Sequence, residues 1–387
     1  MKNQKQLFSL QKDIHYLNCA FKAPLLKSVE AAAIKALQTD RNPIGIQPKD
    51  FFSRPKKVRK EFGKLVNCEA ERVAIIPSVS YGLATALHNI KCKKGKHAIT
   101  IENEFPSGYL SLKKWCETHH ATLKVINSDS KKELKGKTWN KDILKSINEE
   151  TAVVVLSSVH WMNGIKFDLE KIGQKCRSVG AKFIIDGTQS VGALPIDVQK
   201  CNIDVLVCAS YKWLLGSYSL ALAHFGEHFD NGTPLEESWT NRTNAENFTE
   251  LTNYAENYQQ KAARYNVGES SSFILMPMLH TALKQINTWT PSEIQAYAGK
   301  LTEPLFEYLE NLGVRQEPKS YQANHLFGLK LPTDIDMELL KENLVKHNIY
   351  LSVRGAYLRV AVNIFNTKQD ISKLIEVIEM TRNGNRN

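Results

Sequence analysis

Between about residue 70 and residue 225, short runs rich in Val, Ile and Ala alternate with longer amphipathic stretches, the pattern of strands joined by crossover helices. Val73 to Pro77, His97 to Ile101, Thr122 to Ile126, Ala152 to Leu156, Lys182 to Ile185, Val205 to Ala209 and Ser219 to Phe225 read as the strands. Several are apolar on both sides of the alternation, as a central sheet covered on both faces requires. Ser80 to Asn89, Ser107 to His119 and Asp168 to Val179 supply covering helices. The pattern then breaks into a polar segment, Glu227 to Asn253, expected to wrap the surface or cover a site. From Phe273 two long helical stretches appear. They are followed by His325 to Lys330, Asp336 to His347, Tyr350 to Val353, Tyr357 to Ala361 and Lys368 to Thr381. Strands there come with helices on one side, which predicts a second, smaller α+β unit.

Composition agrees with a chain able to bury a large core: 42% of the 387 residues are hydrophobic and 24% charged. No apolar run approaches about 18 residues, and Met1 to Pro24 lacks the apolar stretch of a signal peptide. Membrane spanning and secretion are not expected, and a cytoplasmic setting is. The net charge of +11 suits nucleic acid, a membrane surface or small anions such as phosphate and carboxylate. Lysine clusters at Lys91 to Lys96 and Lys131 to Lys137 read as solvated loops without aromatic residues spaced to stack bases, so nucleic acid is not an expected partner. Seven cysteines, without a Cys-x-x-Cys pair or zinc-like spacing, fit a reducing compartment and no metal site.

The chain contains no G-x-G-x-x-G, no G-x-x-x-x-G-K-[ST], no G-x-S-x-G and no H-E-x-x-H. Its polar residues of interest fall at the carboxyl ends of predicted strands, where open α/β sheets bind ligands. The strand Phe183-Ile184-Ile185 ends in Asp186, followed by Gly187-Thr188-Gln189-Ser190. A carboxylate buried there is costly unless a cation meets it. The next strand ends in Ser210-Tyr211-Lys212. Taken singly, this Asp and this Lys read as a salt bridge or as two solvated charges. At consecutive strand ends they are also the two groups that pyridoxal phosphate chemistry needs: a carboxylate for a protonated pyridine nitrogen and an amine for a Schiff base.

On these residues the chain resembles the fold-type I pyridoxal phosphate enzymes of the class V aminotransferase group. That group includes cysteine desulfurases, kynureninases and isopenicillin N epimerase-like proteins. The similarity runs from Tyr16-Leu17-Asn18 to the C-terminal helix. It implies an α/β fold with a mostly parallel seven-stranded sheet between helices and a smaller C-terminal α+β domain. The implied division is an N-terminal segment, 1–40, packed with the small domain; a large cofactor-binding domain, 41–265; and the small domain, 266–387. The resemblance also implies roles. Lys212 would be the Schiff-base lysine, Asp186 the partner of the pyridine nitrogen, and Gln189 the donor to the cofactor's phenolic oxygen. Ser78-Val79-Ser80-Tyr81 resembles the phosphate-binding loop that opens a helix, with Ser80 and the backbone of Tyr81 as the contacts. Phe105 would lie over the cofactor ring, Trp161 near cofactor or substrate, and the Tyr211 hydroxyl at the phosphate. Where relatives often place Gly-Thr, reaching the phosphate of the neighbouring subunit, this chain has Gly268-Glu269, leaving either Ser270 or Ser271 for that contact or a different phosphate site. Arg359 matches the arginine that grips the substrate carboxylate, and Arg354 would bind a second acidic group or gate the entrance. A homodimer with its site at the interface is implied.

Cysteine desulfurases need a cysteine just before the carboxylate-binding arginine. Here the last cysteine is Cys208, so desulfuration is not expected. The leading expectation is an aminotransferase acting on a small amino acid. A lyase or epimerase using the same groups is the alternative, and a pyridoxal phosphate binder with weak activity, motivated by Glu269, is a third.

Overall fold

The computed structural model describes residues 1–92, 95–128 and 134–384, and both lysine clusters named above lie partly outside these residues. The strands are β1 (His15–Tyr16), β2 (Val73–Ile76), β3 (His97–Ile101), β4 (Thr122–Ile126), β5 (Thr151–Ser157), β6 (Lys182–Asp186), β7 (Val205–Ala209), β8 (Ala221–Phe225), β9 (Leu326–Leu329), β10 (Ile349–Tyr350), β11 (Ser352–Arg354) and β12 (Tyr357–Ala361). The helices are α1 (Lys27–Asp40), α2 (Asp50–Val66), α3 (Val79–His88), α4 (Pro106–His119), α5 (Gly136–Ser146), α6 (Leu169–Val179), α7 (Leu275–Trp289), α8 (Pro291–Asn311), α9 (Met337–Lys346) and α10 (Lys368–Gly384).

The seven strands of the alternating region form one sheet in the order β2-β8-β7-β6-β5-β3-β4. Only β8 runs antiparallel to its neighbours β2 and β7; all other pairs are parallel, giving the mostly parallel α/β sheet expected. Because successive side chains of a strand point to opposite faces, the sheet feeds two cores. Ile75, Ile99, Leu156, Ile185 and Leu206 pack with α2 and α7, while Ala74, Ala98, Val155, Ile184 and Val207 pack with α3 and α4. The edge strand β4 is only partly covered, with Thr122 and Val125 exposed.

Helix boundaries follow local chemistry. Ser78 Oγ accepts from Tyr81 N–H (3.2 Å) and caps α3, and Asp168 Oδ1 does the same for α6 through Lys171 N–H (3.2 Å). Thr290 ends α7 and opens α8: its own N–H bonds Ile286 O, its side chain accepts from Glu293 N–H, and Pro291 follows at the first helical position.

The second unit is a three-stranded antiparallel sheet, β11-β12-β9, which shares a third core with α8, α9 and α10. Residues 15–17 of the N-terminal segment are stitched to it, while Ala20, Ala23, Leu26 and Val29 enter the first core of the large sheet. β1 pairs in parallel with β10, Leu17 enters the third core, and His15 Nδ1 lies 2.7 Å from Asp370 Oδ1 on α10. Among the described residues no helix is long and apolar enough to cross a membrane. In the large sheet, strand order reverses between β3 and β5, since β4 lies outside one and β6 outside the other. That reversal opens a crevice at the carboxyl ends of these strands.

Candidate active site

A cavity of about 300 Å³ fills that crevice. Phe105 after β3, Trp161 after β5, Asp186 ending β6, Gln189 beyond it, and Tyr211 and Lys212 after β7 all line it, as does Ser80 in the first turn of α3. Tyr81, Ser270, Arg354 and Arg359 stand outside its lining.

Asp186 is 6% exposed, and burial pushes its carboxyl above the ordinary range; hydrogen bonds from Thr188 and the charge of Lys212 oppose that shift. Thr188 N–H donates to Asp186 Oδ1 at 2.9 Å, while the Thr188 hydroxyl oxygen accepts from Ala209 N–H at 3.2 Å. Lys212, equally buried, is lowered to about 8 by burial, with Asp186 pulling upward and the charges of Arg359 and Arg354 pulling downward. An amine so placed is neutral in appreciable fraction near neutral pH, the state a nucleophile or base requires. Its Nζ stands 5.7 Å from the Phe105 ring centre and 5.4 Å from that of Tyr211. The Gln189 amide is oriented from two sides: Oε1 accepts from the Trp213 indole (3.0 Å) and Nε2 donates to Ala20 O (3.1 Å), leaving its second hydrogen available. Ala23 N–H donates to Tyr211 O (3.1 Å), so the N-terminal segment braces both halves of the site.

One wall is aromatic. Phe105 and Trp161 meet edge to face at 5.6 Å, and the Trp161 indole donates to Asn103 O at 2.8 Å. Behind that wall lies Arg359, 2% exposed on β12. Its Nη1 donates to Trp161 O (3.1 Å) and its Nη2 lies 3.5 Å from Ser352 Oγ, whose hydroxyl donates to Asn18 Oδ1 (2.8 Å). The buried Nε of Arg359 has no hydrogen-bond partner among the described residues. Burial, reinforced by the Arg354 charge, lowers this guanidinium to about 10. The register explains the proximity. Ser352 pairs with Arg359 and Arg354 with Tyr357, so both arginines project from one face of the β11–β12 hairpin. Among the described residues no carboxylate forms an ion pair with either arginine.

At the opposite end, Ser78 and Ser80 are both exposed, with their hydroxyls 3.1 Å apart. The Tyr81 N–H is taken by Ser78, and the Tyr81 side chain faces Glu236, whose carboxyl also accepts from Gly268 N–H. Ser270 is buried, with its N–H bonded to Val267 O (3.1 Å), and Glu269 is exposed in a left-handed turn (φ 60°). The sequence pattern did not single out Thr188, Ser157 or Tyr218, all of which line the cavity. Thr188 was within reach, because it sits two residues beyond a carboxylate in the Asp186 turn.

These residues fit pyridoxal phosphate. A buried carboxyl facing a buried amine suits the ring and its aldehyde. A helix start with exposed hydroxyls suits the phosphate. The buried, partnerless Arg359 Nε suits a substrate carboxylate.

Comparison with known proteins agrees. An uncharacterized aminotransferase of Bacillus subtilis, YcbU, is 24% identical over 86% of this chain and 85% of its own length. The structure of a cysteine desulfurase from Thermococcus onnurineus covers 99% of both chains at 16% identity, with a TM-score of 0.83. A mutant of the cystine C-S lyase C-DES, with glycine covalently linked to its pyridoxal phosphate cofactor, covers 97% of this chain and 98% of its own, also at 16% identity, with a TM-score of 0.86. With the aminotransferase class V model matching residues 47–374, the chain belongs to that family and is a pyridoxal phosphate-dependent enzyme of fold type I.

Proposed function

We propose that this protein is an aminotransferase acting on a small amino acid, with the cofactor attached through Lys212. The observation that carries the reading is one cavity holding a buried amine, a buried carboxyl and an aromatic face. Bound pyridoxal phosphate supplies an electron sink for the bonds at the substrate α carbon. The chain supplies everything else. Lys212 Nζ would hold the cofactor's aldehyde carbon, and its free amine would carry the substrate's α proton. Asp186 keeps the pyridine nitrogen protonated, and the free Gln189 N–H serves the phenolic oxygen. Phe105 covers the ring face and Trp161 flanks the substrate side.

Ser80 at the start of α3 and the Tyr211 hydroxyl bind the phosphate. The Tyr81 N–H is spent on the cap, so its contribution there is the placement of the helix start. Ser270 is assigned to the phosphate of the neighbouring protomer in a homodimer, with Glu269 turned outward. Arg359 takes the α-carboxylate through the Nε that lacks a partner, and Arg354 receives a second acidic group or gates the entrance. The absence of a disulfide among the described residues suits the cytoplasm.

A lyase or epimerase is the second reading. It is favoured by Phe105 and Tyr211, and a kynureninase of Burkholderia mallei is 24% identical over 43% of the chain.

The test starts with the visible spectrum of the protein supplied with pyridoxal phosphate, before and after borohydride. Wild type is expected to show a band that reduction fixes on Lys212, and Lys212→Ala to lack it. No band in wild type sinks the reading. An amino-acid panel then separates the reactions: an oxo acid formed with stoichiometric amination of an acceptor supports transamination, while ammonia or a cleaved fragment supports a lyase.

A further inference from the structure

The cavity is underlain by a second buried carboxyl that the chemistry above does not use. Glu104, 6% exposed, follows β3 and lies between the ends of β3 and β5. Three donors converge on it. Phe105 N–H reaches Oε1 at 2.7 Å, Ser157 N–H reaches Oε2 at 2.6 Å, and the Ser157 hydroxyl also donates to Oε1. Room for the side chain comes from Gly108 in the first turn of α4, where a Cβ would stand 3.2 Å from Glu104 Cγ.

Both partners of this carboxyl are cavity residues. Phe105 carries the ring that faces Lys212 Nζ, and Ser157 is the register partner of Asp186 across the β5–β6 pair. The preceding residue is tied to the same wall, since Asn103, in a left-handed conformation (φ 52°), accepts from Trp161 Nε1 and lies 3.2 Å from His160 Nε2. Burial is the main cost of keeping a carboxyl here, and the nearby Asp186 charge adds to it. A plain core would fill the position with an apolar side chain.

We infer that Glu104 is a positioning residue: its carboxyl clamps the turn after β3 to the end of β5, setting the Phe105 ring and the Ser157–Asp186 edge at the distance the cofactor ring needs. The inference rests on the cofactor reading above. Glu104→Gln keeps the side-chain volume but turns an amide NH₂ toward donors that require an acceptor.

The experiment compares wild type, Glu104→Gln, Ser157→Ala and, as control, Asp204→Asn. Asp204 is a carboxylate at the other end of the sheet, whose Oδ2 accepts from Phe183 N–H at 2.8 Å. Each protein is titrated with pyridoxal phosphate, following the visible circular dichroism of the bound cofactor, and melted without it. Glu104→Gln is expected to weaken cofactor binding about tenfold and to reduce the visible dichroism per bound cofactor. Ser157→Ala, which keeps the carboxyl and removes one donor, is expected to act in the same direction by less, and it stands in if Glu104→Gln does not fold. Asp204→Asn is expected to lower the melting temperature and leave Kd and dichroism as in wild type. Unchanged Kd and dichroism in both site variants, or an equal loss in Asp204→Asn, overturns the role of Glu104. A wild-type protein without a visible band overturns the cofactor reading and this role with it.

Discussion

A buried guanidinium nitrogen with no acceptor costs free energy in the unliganded protein, and Arg359 tolerates that cost in a strand otherwise filled with Leu358 and Val360. Lysine there keeps the charge but loses the planar fork, so Arg359→Lys is expected to lower kcat/KM by roughly tenfold to a hundredfold, mostly through KM. Steady-state kinetics on any accepted amino acid measures this; an unchanged KM would place the carboxylate elsewhere. At this scale Asp186, which ends an apolar run, and Lys212, just past the next one, could be picked out from the pattern, Gln189 was named through the family resemblance, and all three line one cavity. Ser157 and Glu104 escaped because their meaning is relational. One ends a strand as an ordinary serine, the other precedes Phe105 as an ordinary acid, and only the parallel pairing of β3 with β5 brings them together.

Elements hold those residues by close backbone approach. Gly192, three residues past Gln189, has φ 100°, and a Cβ there would stand 2.4 Å from Trp213 O, in the residue that follows Lys212. Gly192→Ala must therefore shift the turn carrying Lys212, and it is expected to cost about 2–3 kcal/mol of stability in chemical denaturation. A variant as stable as wild type would show that the turn yields without strain. The seven strands of the large sheet were legible because six of them are nearly continuous apolar runs, and even the exposed β4 kept its β-branched character through Thr122, Val125 and Ile126. β1 was not: two residues carry no period, and its pairing with β10 is made more than 330 residues away, as His15 to Ile349 shows. The polar stretch after Phe225 follows no period because it forms only single turns, Glu227–Phe229, Trp239–Asn241 and Phe248–Glu250, and Trp239 and Phe248 pack on Phe51 and Phe52 of α2.

For the molecule as a whole, buried histidines set the response to acid. Burial holds His160, His224 and His325 near pKa 4, against an ordinary value of 6.5. The unfolded chain therefore takes up these protons first, so their contribution is complete above pH 6.5 and lost as pH falls toward 4. Glu104, raised to about 7, acts in the opposite sense, its contribution being present below 4.5 and lost as pH rises through 7. His224 is the cleanest probe, because its Nδ1 has no hydrogen-bond partner among the described residues and it lies outside the cavity lining. His224→Gln is expected to flatten the fall in melting temperature between pH 6.5 and 4, removing up to about 3 kcal/mol of pH-dependent stability. An unaltered slope would mean that His224 is protonated in the folded protein. The stitching of the N-terminal segment also orders events in time. The ribosome makes Asn18 to Ala23 long before Ser352 and Ala361, which anchor Asn18. The last strand of the large sheet ends at Phe225, so a translating chain can complete that sheet before the brace on Gln189 and Tyr211 has its own anchors. Cofactor capture in the finished geometry then waits for those anchors, and a nascent chain stalled before residue 350 is expected to carry a folded sheet and hold pyridoxal phosphate poorly.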